Sequence, residues 1–137
     1  MSNDSVATAR ARGPKTLLKS PSAIKVSDGT ISRLTKVFKL LADDSRMKIL
    51  LALAQDGEVH VSALCDMLGQ SQPAVSHHLT LMRLTGLVSF RREGKNNFYR
   101  LECGQIRELL DQVFADCGNH HKQIQFPDFA LAYKRAR

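Results

Sequence analysis

Residues 70–102 read QSQPAVSHHLTLMRLTGLVSFRREGKNNFYRLE, and the rest of the chain is best understood around them. Ser71 suits a helix start, because its hydroxyl can accept from an amide of the first turn. Pro73 falls within that turn, where a missing N–H is harmless. Val75, Leu79 and Met82 follow at steps of four and three, the spacing of one inward helix stripe. The helix ends near Thr85 and Gly86. Beyond them the period drops to two: Leu87, Ser89 and Arg91, then Phe98 and Arg100, flank Arg92-Glu93-Gly94-Lys95-Asn96-Asn97. Two short extended runs about a Gly/Asn turn predict a β-hairpin.

Upstream, Ser62 is the expected N-cap of a short helix with Leu64, Met67 and Leu68 inward, stopped by Gly69. Before it, Asp43, Asp44 and Ser45 open a helix whose apolar members are Met47, Ile49, Leu50, Leu53 and Ala54, ended by Asp56 and Gly57. Order is expected to begin near Thr30, with Ile31, Leu34, Phe38 and Leu41 sharing one face of a first helix. Downstream, residues 104–116 form a fifth helix carrying Ile106, Leu109, Leu110, Val113 and Phe114. Residues 128–133, after Pro127, are read as a short extra helix. Residues 1–29 have the composition of a flexible basic arm, with Arg10, Arg12, Lys15, Lys19 and Lys25 against Asp4 and Asp28. Such an arm either touches phosphates or is simply solvated. The expected division is therefore an arm over 1–29, a folded domain over 30–118 and a tail over 119–137.

Composition bounds the possibilities. With 137 residues, 43% hydrophobic and 24% charged, the chain suits one folded domain with tails. Its longest apolar run, 49–54, is far short of the ~20 residues of a membrane helix. The N-terminus carries no apolar secretory core, so a cytoplasmic protein with no membrane partner is expected. Lys and Arg number 20 against 13 Asp and Glu, a net charge of +7. A balance this basic points to a polyanionic partner, nucleic acid or, in competition, anionic lipid. Three cysteines, an odd number without regular spacing, do not build a disulfide scaffold. There is no Gly-rich phosphate loop, no paired carboxylates and no nucleophile with a base and orienter, so the chain is not expected to be an enzyme.

The order of elements is that of a helix–turn–helix followed by a basic hairpin: a mainly α fold with a small β-hairpin, a winged helix–turn–helix. The second helix of such a unit enters the DNA major groove with its N-terminal residues facing base edges. Those residues are Ser71, Gln72, Ala74, Val75, Ser76, His77 and His78. Gln can pair bidentately with adenine, while Ser and His can donate or accept. Arg91, Arg92, Lys95 and Arg100 would grip phosphates from the hairpin. Such contacts set affinity and make it salt-sensitive. The alternative is a basic protein-interaction module that binds DNA only nonspecifically.

The pattern SQPAVSHHL…GLV…R..G….Y.L, with LADDSRMKILLAL at 41–53 and VSALCDML at 61–68, resembles the ArsR/SmtB group of bacterial repressors. The similarity spans roughly residues 30–118, the usual size of one domain. The resemblance implies a homodimer built on the first and fifth helices. It implies binding to a palindromic, double-stranded operator, and release by a metal ion or other inducer. It puts Gln72, Ser76 and His77 at base-facing positions.

The sensor is less uniform. Arsenic sensors of the group often carry Cys-x-Cys at the start of the third helix; here the residues are His60, Val61 and Ser62, with only Cys65 nearby. The positions matching the group's zinc ligands look like Cys103, Gln105, Asp116 and Asn119, and Gln and Asn are weak zinc ligands. A different set remains: Cys103, Cys117, His120 and His121, whose thiolates and imidazoles suit zinc or another thiophilic ion. Thiol chemistry is the alternative. Cys103 and Cys117 span about 21 Å of continuous helix, too far for a mutual disulfide. Pairing with Cys65, or across a dimer, stays open. A third reading is a regulator of this type that senses neither metal nor thiol chemistry.

Overall fold

The computed structural model describes residues 23, 25–116 and 123–134. Helix α1 spans Asp28–Leu41, opening slightly ahead of the expected start, with the Ser27 side chain accepting from the Thr30 amide at 3.1 Å. Of the expected face, Leu41 is buried and Leu34 packs half-buried against the core, but the other two members do not. Thr30, Val37 and Leu41 are buried, whereas Ile31 and Phe38 remain 40% and 56% exposed on the flank. The stripe of Ile31 and Phe38 has helical spacing, but the core takes the neighbouring stripe. Thr30 Oγ1 donates to Gln112 Oε1 at 2.6 Å and so ties α1 to the last helix.

Helix α2 (Asp44–Asp56) is capped by Asp43 and buries Ile49 and Leu53. Strand β1 (Glu58–His60) follows directly and runs into α3 (Val61–Leu68). The expected Ser62 cap is displaced: His60 holds that place, its Nδ1 accepting from the Ser62 amide at 3.1 Å, and Ser62 lies inside the first turn. Of the expected inward set on α3, Leu64 is fully buried, but Met67 is exposed. Gly69 ends α3 at φ +62°, the left-handed conformation glycine adopts without steric cost.

Helix α4 (Gln72–Leu84) begins as expected, with Ser71 Oγ accepting from the Ala74 amide at 3.3 Å and Pro73 in the first turn. Val75, Leu79 and Met82 are all fully buried, joining Ile49, Leu53 and Leu64 at the centre of the core. Gly86, at φ +72°, turns the chain into the sheet, and a Cβ there would lie 2.6 Å from Gln105 Oε1. Strands β2 (Val88–Glu93) and β3 (Asn96–Leu101) form the expected hairpin. The sheet has a third strand, in the antiparallel order β1-β3-β2. The register pairs Val59 with Tyr99 and Phe90 with Tyr99, so the hairpin root packs onto the core.

Helix α5 (Gly104–Asp116) packs against α1. The expected helix over 128–133 is not formed. Instead β4 (Gln123–Gln125) and β5 (Ala130–Ala132) make a second antiparallel pair, Ile124 opposite Leu131. Pro127 lies in the turn between them, closed by the Phe126 amide donating to the Phe129 carbonyl at 2.8 Å and by stacking of the two rings. Proline offers no amide to a helix and favours such turns. Tyr133 stacks on Phe114, which joins this hairpin to α5. No helix among the described residues is long and apolar enough to cross a membrane.

Candidate nucleic-acid interface

The first turns of α4 present the polar side chains expected of a reading head. Ser71, Gln72 and His77 are exposed, while Ala74 and Ser76 are half-buried at the helix edges. Val75 points into the core. The two adjacent histidines diverge. His77 faces solvent, whereas the half-buried His78 turns toward α2, its Nδ1 accepting from Arg46 Nη1 at 3.3 Å and lying 4.0 Å from Asp43. Gln70 adds a second link, donating through Nε2 to Ser45 Oγ at 2.8 Å. These two contacts fix the approach to α4 and its middle against the start of α2.

Asp43 anchors that junction. Its carboxylate accepts from the Arg46 amide at 3.0 Å, which, with the Arg46 charge, holds its pKa below the ordinary aspartate value. Glu102 is lowered likewise, chiefly by the Ser89 hydroxyl and then by Arg100. A carboxylate depressed in the folded state stabilises fully above its unfolded value of about 3.9–4.3. That contribution disappears as pH falls through the folded value. Urea midpoints are therefore expected to fall below about pH 4. Asp43→Asn, which keeps the cap but not the charge, flattens that acid limb. An unchanged limb in this variant would assign the loss elsewhere.

The wing residues differ more than their shared charge suggests. Arg91 Nε donates to Glu58 Oε1 at 2.5 Å and Nη1 to Glu93 Oε2 at 2.7 Å, and its guanidinium lies 4.7 Å from the Phe98 ring centroid. The two carboxylates, Glu93 first, raise its already high pKa. Arg100 Nε lies 3.3 Å from Glu102 Oε1. Arg92 Nε donates only to the Gly94 carbonyl, at 3.1 Å, and Lys95 is exposed in the turn. Sequence reasoning overlooked two participants. Glu58 sits on a strand too short to show alternation. Arg83, whose guanidinium lies 4.2 Å from the Phe90 ring centroid, continues the stripe Gln72, Ser76, Thr80 by one further helical step.

The sensor candidates are not brought together. Cys65 is a half-buried free thiol packed against the core, and Cys103 is an exposed free thiol just ahead of α5. Cys117, His120 and His121 lie outside the described residues. Among the described residues no three His, Cys, Asp or Glu side chains converge as a metal site.

Comparison with known proteins fits this geometry. The sequence profile described as "Bacterial regulatory protein, arsR family" matches residues 43–89. The HTH-type transcriptional regulator KmtR of Mycobacterium tuberculosis is 41% identical over 88 residues, 64% of this chain and 67% of that protein. The arsenic resistance transcriptional regulator ArsR1 of Pseudomonas putida is 45% identical over 92 residues, 67% of this chain and 71% of that protein. A homodimeric winged helix-turn-helix DNA-binding domain from Mycobacterium bovis superposes with a TM-score of 0.52 at 34% identity, covering 72% of this chain and 98% of that one. The fold is a winged helix–turn–helix, and the chain belongs to the arsR family of bacterial regulatory proteins.

Proposed function

We propose that the protein is a sequence-specific transcriptional repressor that binds a palindromic operator as a homodimer and leaves it when an effector favours a dimer of different spacing. The observation that carries this reading is the exposed polar start of α4, with Ser71, Gln72 and His77 facing solvent beside an Arg- and Lys-bearing hairpin. Two such helices about one DNA turn apart, near 34 Å, address successive major grooves. An effector acts by differential affinity for the two dimer geometries.

Titration against a duplex from the region upstream of its own gene tests this. Specific binding is expected, with affinity falling steeply as salt rises. Gln72→Ala is expected to relax base preference, costing about 1–3 kcal/mol of discrimination. Arg92→Ala weakens operator and random duplex alike. Equal affinity of the parent protein for both duplexes would favour the nonspecific interaction module instead.

The effector reading draws support from the thiols and from relatives named for arsenic and cadmium resistance. Its test is operator release by zinc, cadmium, arsenite, and persulfide or peroxide, with Cys65, Cys103 and Cys117 each replaced by Ser. If all three variants respond like the parent, thiol and cysteine–metal sensing both fall.

A further inference from the structure

The hairpin has two faces of different charge. Cross-strand partners share a face of a sheet and neighbours along a strand alternate. The register pairs Glu58 with Arg100, Ser89 with Arg100, and Arg91 with Phe98. Glu58, Ser89, Arg91, Glu93 and Arg100 therefore occupy one face. There two arginines meet three carboxylates, Glu58, Glu93 and Glu102, in the ion pairs already described. That face is locally anionic and offers a phosphate little attraction.

The other face carries Val88, Phe90 and Arg92 and turns toward α4, since Arg83 of α4 lies over the Phe90 ring. Among the described residues, neither Arg83 nor Arg92 has a carboxylate partner. Between α4 and β2 runs an open groove of about 550 Å³, lined by Thr80, Arg83, Leu84, Val88, Ser89 and Phe90. It continues the stripe of Gln72 and Ser76 toward the wing. A cation with no carboxylate partner releases a counterion when it meets a phosphate, whereas one already paired must first give up its partner.

We propose that the DNA backbone is gripped from the α4-facing side, by Arg83, which lines this groove, and by Arg92, two residues beyond Phe90 on the same face of β2, while Arg91 and Arg100 shape the wing and contact no phosphate. The assignment rests on the DNA-binding reading above and adds Arg83 to the interface.

The test is the salt slope of binding, measured by fluorescence anisotropy on a labelled duplex from the protein's own upstream region. Each lost phosphate contact lowers the slope by about 0.9, so a substitution in both protomers removes about 1.8. Arg83→Gln and Arg92→Gln are each expected to produce that loss. Arg91→Gln and Arg100→Gln leave the slope unchanged. The charge swap Glu58→Arg with Arg91→Glu keeps the ion pair between positions 58 and 91, though not the one to Glu93, and is expected to retain the parental slope although it puts an anion at position 91. A loss of slope in Arg91→Gln and in the swap, or none in Arg83→Gln and Arg92→Gln, overturns the assignment while leaving DNA binding intact. A flat slope for the parent protein overturns both.

Discussion

Leu79→Ala is expected to lower the unfolding free energy by about 2–5 kcal/mol, the range for a leucine truncated in a close-packed interior. Leu79 is fully buried at the middle of α4, in the same cluster as Ile49, Leu53 and Leu64. It holds α4 onto the two helices before it. Domains of this size retain only about 5–15 kcal/mol in total. Each kilocalorie shifts the melting temperature by roughly 4–8 °C, so a fall on the order of 8–40 °C should be seen. Leu51 on α2 supplies the contrast. It is the same residue type but 59% exposed, and Leu51→Ala should stay within about 0.5 kcal/mol. Urea titration of both variants at one protein concentration decides the matter, because an associating chain gains stability with concentration. Equal losses at the two positions would mean that the core has been drawn in the wrong place.

The second large effect concerns association. Phe38→Glu is expected to give a monomer and to lose about 10²–10⁴-fold in affinity for a palindromic duplex, the range forfeited when two linked contacts become separate ones. Phe38 and Ile31 form an apolar stripe on the flank of α1, beside the buried face that meets α5. In a proposed dimer built on these two helices, a carboxylate on that stripe would be desolvated without a partner, a cost of several kcal/mol. Light scattering reads the mass and anisotropy reads the affinity. Affinity for a single half-site should be unchanged, which separates lost pairing from lost folding. A Phe38→Glu protein that still scatters as a dimer removes this stripe from the interface.

How much could be read in advance follows from how local each signal is. The cap at Ser71, the stripe of Val75, Leu79 and Met82, and the turn at Gly69 each depend on residues within one or two helical turns, and all appear as read. The hairpin was legible for the same reason. On α1 the periodicity was real, but it could not say which of two adjacent stripes meets this chain's own core. Strand β1 has three residues and no pattern of its own; it exists because β3 offers it an edge. The short stretch at 128–133 has the apolar content of a helix turn, and pairing with residues 123–125 decides it otherwise. At the candidate site, residue types and positions along α4 were legible. The division among the arginines was not, because Arg91's partner Glu58 lies 33 residues away in sequence.

The third strand also bears on how the protein tolerates crowding with its own kind. A sheet ends in two rows of unpaired amides and carbonyls, which can template fibre growth when they are long, flat and apolar. Here one row belongs to β1, three residues long and cut off by the start of α3. The other belongs to β2, whose outer half is Arg91, Arg92 and Glu93. Brevity guards one margin and charged side chains the other, so concentrated stocks of the folded protein should stay free of thioflavin-positive aggregate.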